Sequence, residues 1–174
     1  MSGDQPRNMP AAGSVRYRMR QKLFSIGDDY WVTDDDGERA YKVDEKTLRL
    51  RKTLVLEDSR GEELLKIHER ALSWRDAMHI EAPDGTKVAT VKKAKLAPLH
   101  ARWTVDIPGG EDLKVTGDIL GHEYRIQRGH DTVAEVSKKW FRVADEYGIE
   151  VFSGADPTLM LAIAAVLDAT AHDS

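Results

Sequence analysis

Cysteine is absent from the 174 residues. That excludes a disulfide scaffold, a thiolate metal site and a cysteine nucleophile. Long apolar runs are absent too. The longest, Leu159 to Leu167 (LMLAIAAVL), falls far short of the ~20 residues a helix needs to cross a bilayer. An excess of basic charge is also missing. The chain has 26 Lys and Arg against 30 Asp and Glu, a formal net charge of −4, whereas a nucleic-acid-binding domain is usually basic. Neither a transmembrane segment nor a nucleic-acid partner is expected. The sequence holds no GxSxG elbow, no P-loop, no GxGxxG and no HExxH pair. The expectation is therefore a protein that is not an enzyme and uses no cofactor.

The length suits one domain of ~100–200 residues. Residues 1–14, MSGDQPRNMPAAGS, are small and polar. They read as a disordered leader that lacks the basic start and apolar stretch of a secretory signal, so a cytoplasmic location is expected. Residues 15–169 read as the single domain, and residues 170–174 as a frayed tail.

Within the domain one pattern recurs: an apolar stretch, a polar turn with glycine, and a second apolar stretch. The copies begin YWVTDDDGERAYKV at Tyr30, LVLEDSRGEELLKI at Leu54, MHIEAPDGTKVATV at Met78, WTVDIPGGEDLKV at Trp103 and YRIQRGHDTVAEV at Tyr124. Their turn glycines are Gly37, Gly61, Gly85, Gly110 and Gly129, at intervals of 24, 24, 25 and 19 residues. Glycine closes a tight turn between antiparallel strands because it reaches φ > 0 without a Cβ clash. The flanks alternate: Trp103, Val105 and Ile107 share one face, Thr104 and Asp106 the other. A period of two marks strands with one buried face. Five hairpins, a strand near Arg16–Phe24 and a pair around Trp140–Val143 and Tyr147–Phe152 predict roughly a dozen strands. So wide a sheet should close on itself.

The last element differs. Asp156 is a good helix N-cap and Pro157 suits the first helical position, so a helix of about three turns is predicted as far as Ala169. Between Leu159 and Leu167 it has no polar face, and a helix apolar all round is buried all round. Burying its six large side chains contributes roughly 9–18 kcal/mol before entropy. Many antiparallel strands and one wholly apolar terminal helix predict a mainly β fold: a closed antiparallel barrel wound about that helix.

The opening YRMRQKLFSIGDDYWVTDDDGERAYKV and the ending KKWFRVADEYGIEVFSGADPTLMLAIAAVLD resemble bacterial members of the LURP-one-related family, over about Tyr17 to Asp168. The resemblance implies the tubby C-terminal-like fold, a closed antiparallel barrel around a central apolar helix that is also assigned to phospholipid scramblases. Tubby domains bind phosphoinositide head groups and scramblases act on lipids with calcium. No ligand motif of either aligns residue for residue here, so the resemblance transfers no site.

The candidate binding residues are cations. Arg16, Arg18, Arg20 and Lys22 alternate along the first strand and so share one face. Arg49 and Arg51 form a second stripe, and Lys92, Lys93, Lys95, Lys138, Lys139 and Arg142 add clusters. Such stripes suit an anionic partner, a phospholipid head group or an acidic protein surface. The plainer alternative is a solvated outer face that discourages edge pairing. Asp34-Asp35-Asp36-Gly37 fails the spacing of a calcium loop and reads as a hairpin turn. The six histidines read as scattered strand and loop residues, and Trp31, Trp103 and Trp140 as core aromatics, with Trp74 a candidate for the barrel rim. The expected function is a non-enzymatic binding module for an anionic ligand. A structural or protein-interaction domain without a small ligand is the alternative. A scramblase-like transporter is disfavoured by the shortness of Leu159–Leu167.

Overall fold

The computed structural model of the protein describes residues 10–21, 30–48, 51–69, 77–93, 103–141 and 143–172. Twelve strands alternate in direction: β1 (Val15–Arg20), β2 (Tyr30–Asp34), β3 (Arg39–Leu48), β4 (Arg51–Asp58), β5 (Glu63–Glu69), β6 (Ala77–Glu81), β7 (Lys87–Lys93), β8 (Trp103–Asp106), β9 (Leu113–Asp118), β10 (Glu123–Arg128), β11 (Asp131–Ser137) and β12 (Glu146–Val151). Each strand pairs with its sequence neighbours, and β1 pairs antiparallel with β12 from Val15↔Val151 to Arg20↔Glu146. The sheet is thus a closed barrel without free edges, the fate expected of so wide a sheet.

Alternation decides what each strand buries. In β6, Met78 and Ile80 point into the barrel while Ala77, His79 and Glu81 do not. In β8, Trp103 and Val105 point in, Thr104 and Asp106 out. The interior is filled by α1 (Pro157–His172), whose residues from Met160 to Leu167 are all buried. Asp156 starts this helix by accepting the Thr158 N–H at 3.0 Å on its carboxylate. Between Met160 and Leu167 three alanines, Ala162, Ala164 and Ala165, keep the helix slender. Beside Ala162 and Ala165, facing Met19, Leu54 and Ile67, the remaining void is about 10 Å³, at the lower limit for a single water. Helix and wall therefore pack directly at this point.

The alternating directions sort the connections. The β2–β3, β4–β5, β6–β7, β8–β9 and β10–β11 turns gather at one end of the barrel with the start of α1. At the opposite end lie the β9–β10 and β11–β12 connections, the end of β1 and the last turns of α1. Tight turns at the first end are locked by their own carboxylates. Asp34 accepts the Asp36 and Glu38 N–H groups, and Asp58 accepts those of Arg60 and Glu62.

The structure departs from the sequence expectation in four places. Trp140, Phe141 and Val143 lie not in a strand but in the β11–β12 connection, where the two aromatic rings fold over Gly148 on the outside of the barrel. In the β8–β9 turn Gly109, at φ 73°, adopts the left-handed conformation, not Gly110. Ala11 and Ser14, assigned to the leader, are tied to the barrel: the Ala11 N–H and Ser14 Oγ each donate to Glu150 Oε1 at 2.6 Å. The helix also continues beyond Ala169 to His172.

Candidate functional site

The arginine stripe of β1 does face outward, since Tyr17 and Met19 occupy the inner face. Its cations are not presented to solvent alike. Arg16 is 2% exposed, and its guanidinium lies 3.4 Å from Glu150 Oε2, itself fully buried. Arg18 lies 3.5 Å from Glu146 Oε2. The β11–β12 connection then covers both, with Trp140 4.3 Å from Arg16 and Phe141 4.5 Å from Arg18, ring centroid to guanidinium carbon. Gly148 makes room for this cover. It sits on β12 between Glu146 and Glu150, and a Cβ there would come within 2.7 Å of both rings. Arg16 and Arg18 are therefore consumed by an ion-pair and cation–π clasp that joins β1 to β12. Arg20 is exposed, and Arg18, although paired, keeps 39% of its side chain exposed. Lys22 and Arg49 lie outside the described residues, as do Trp74 and Arg142. Arg51 opens β4.

Two tryptophans also differ from the core placement expected. Trp103 is buried in the core, but Trp140 lies on the outer face, and half-buried Trp31 sits 4.9 Å beneath Arg39. Amphipathic rings with a cation above them are stable there.

The outer face of β6, β7 and β8 forms a groove of about 320 Å³. The register aligns His79, Thr90 and Asp106 across the three strands. His79 Nδ1 and Thr90 Oγ1 are 3.1 Å apart, and Lys92 pairs with Asp106. Lys87 also lines the groove. Because Asp106 engages Lys92, this groove presents both signs of charge.

A buried polar group missed by sequence reasoning closes the far end. His122 Nε2 and Asp168 Oδ1 are 2.8 Å apart, and each residue is 1% exposed. Tyr147 packs 4.6 Å from the His122 ring. Burial, reinforced by the Asp168 carboxylate, pushes the Tyr124 and Tyr147 phenols well above their ordinary range. The pair ties the last turns of α1 to the β9–β10 turn. The local signals were Gly121-His122 in a turn and one acid ending an apolar helix. Their separation of 46 residues hid the pairing. Among the described residues no three histidine or acidic side chains are placed to hold a metal ion.

Among the described residues charge is sorted along the barrel axis. The turn end carries Asp35, Asp36, Glu38, Asp84, Glu111 and Asp131 among its exposed acids, with the cations Arg39, Arg60, Lys87 and Arg128 between them. At the far end stand exposed Arg20, Lys92, Lys93 and Lys139 with half-buried Lys138, against exposed Asp118 and Asp145. No described helix is long and apolar enough to cross a membrane.

Comparison with known proteins supplies the frame for these features. The sequence pattern of the LURP-one-related family matches residues 15–168. The uncharacterised protein YxjI of Bacillus subtilis is 28% identical over 160 residues, 86% of this chain and 90% of that protein. An X-ray structure of a protein from Arabidopsis thaliana superposes with a TM-score of 0.67 at 19% identity, over 91% of this chain and 92% of that one. At that identity the likeness concerns the fold, and it agrees with the tubby C-terminal-like barrel expected from the sequence.

Proposed function

Since this chain belongs to the LURP-one-related family, a family match that carries no activity with it, we propose from the surface alone that it is a non-catalytic binding module whose far end receives an anionic ligand, a phospholipid head group at a peripheral membrane. The observation that carries this reading is the separation of charge along the barrel. Cations near an anionic surface contribute about 1 kcal/mol each. The acids of the opposite end are repelled by that surface, so the field orients the barrel as well as attracting it. A cytoplasmic location, facing an anionic leaflet, belongs to the same proposal.

The test is co-sedimentation with phosphatidylcholine vesicles with and without phosphatidylserine. Binding to the anionic vesicles at low salt, lost as salt screens the field, is expected. Equal and negligible binding to both would end the lipid reading. A second reading, a protein-interaction domain without a small ligand, is favoured by Arg16 being buried against Glu150 and part-exposed Arg18 being paired with Glu146. It predicts a protein partner whose capture survives high salt.

A further inference from the structure

We infer that Leu120 and Val143 are apolar anchors that enter the hydrocarbon boundary of an anionic bilayer when the far end docks, an inference that rests on the lipid reading above. Among the described residues the exposed large apolar side chains are Val15, Leu120 at 68% and Val143 at 51%. Single exposed apolar residues are ordinary. These two are distinguished by where they stand and how firmly they are held.

Leu120 is the tip of the β9–β10 turn. Its neighbours Ile119 and His122 are buried beneath it, and His122 is fastened to Asp168 of α1. Asp118 Oδ1 accepts the Gly121 N–H at 2.9 Å, and the Ile119 carbonyl accepts the His122 N–H at 3.2 Å. The turn is thus locked from below with its leucine aimed at solvent. His122 even holds φ 53°, a left-handed conformation costly for a non-glycine residue. Val143 stands on the β11–β12 connection. Its carbonyl accepts the Glu146 N–H, and the next two carbonyls, of Ala144 and Asp145, accept from Gln21. One residue joins the two connections: Glu123 opens β10 and accepts hydrogen bonds from Ser137 Oγ and the Lys138 N–H. Two apolar tips held by these hydrogen bonds therefore stand on adjacent connections, at the end that carries exposed Arg20, Lys93 and Lys139 and half-buried Lys138 against exposed Asp118 and Asp145.

That arrangement selects a bilayer as the occupant. Cations meet the phosphates while the tips pass between head groups, and burial of each tip adds to the electrostatic attraction. The absence of native cysteine gives a direct probe. Leu120→Cys and Val143→Cys, each labelled with an environment-sensitive fluorophore, should shift to the blue on phosphatidylserine-containing vesicles and be quenched by acyl-chain-brominated lipid. Thr116→Cys, exposed on the barrel side, should stay aqueous. The double variant Leu120→Asn/Val143→Asn should keep the wild-type thermal midpoint and bind these vesicles at least about tenfold more weakly, since each tenfold corresponds to ~1.4 kcal/mol. Wild-type binding with labels that remain in water, or with the double variant undiminished, overturns the anchor and leaves the electrostatic reading intact. Failure of the wild type to bind anionic vesicles overturns both, and points instead to a protein seated on these tips.

Discussion

At the residue scale the most consequential pair is Arg16 and Glu150. Both are buried, and each fills a position that alternation alone assigns to an exposed face. Removing one partner of a buried ion pair leaves a charge without compensation, at a cost of about 3–5 kcal/mol. Glu150→Ala is expected to lower the urea midpoint accordingly, while Arg20→Ala, on the strand of Arg16 but exposed, should leave it nearly unchanged. Gly148→Ala should cost about 1–3 kcal/mol, because its Cβ meets the Trp140 and Phe141 rings at 2.7 Å. The tyrosines give a pH prediction. Burial pushes the phenols of Tyr17, Tyr124 and Tyr147 far up, and that of Tyr30 up to about 12. In the unfolded chain they ionise near their ordinary value of about 10. Above that pH the folded state binds more protons than the unfolded state, so stability falls as pH rises. Phenolate absorbance from Tyr124 and Tyr147 should appear together with loss of the fold, not before it. That Arg16, Arg18 and Arg20 share a face was legible from their spacing. Their differing fates were not, because Glu150 and Trp140 stand more than a hundred residues further along the chain.

Elements were more legible, because their rules are local. Asp34 to Gly37 and Asp58 to Gly61 announce hairpin turns, and both carboxylates accept the turn's own N–H groups. The terminal helix was legible from Asp156, Pro157 and the apolar run behind them. It carries two separable predictions. Asp156→Ala removes the bond to the Thr158 N–H and should cost about 1 kcal/mol. Ile163→Ala, at a wholly buried position, should cost about 2–5 kcal/mol. Denaturant unfolding of the two variants against wild type measures the contrast between starting the helix and filling the barrel. The segment Trp140–Val143 marks the limit of local reading. Its aromatic content suggests a strand, yet the rings belong over Gly148. Only the alignment of β12 with β1, a long-range pairing, makes that gap available.

For the whole molecule, closure and charge come from different causes. Closure follows from strand number and the filled interior, both read from hairpin repeats and one greasy helix. The sorting of charge follows from strand direction, which sends acid-rich tight turns to one end and Lys92, Lys93, Lys138 and Lys139 to the other. Composition showed only a net charge of −4. The same topology carries α1 from the turn end to the far end, where Asp168 meets His122, so the docking face is braced by the element at the core. Everything proposed for that face depends on the helix being integral to the barrel. Native-state amide hydrogen exchange tests this most directly. The amides from Met160 to Leu167 should open only with global unfolding, at the same free energy as those of Ile80, Val91, Val105 and Ile149 in the strands. Exchange of the helix at a distinctly lower free energy, with the strands still protected, would contradict the account.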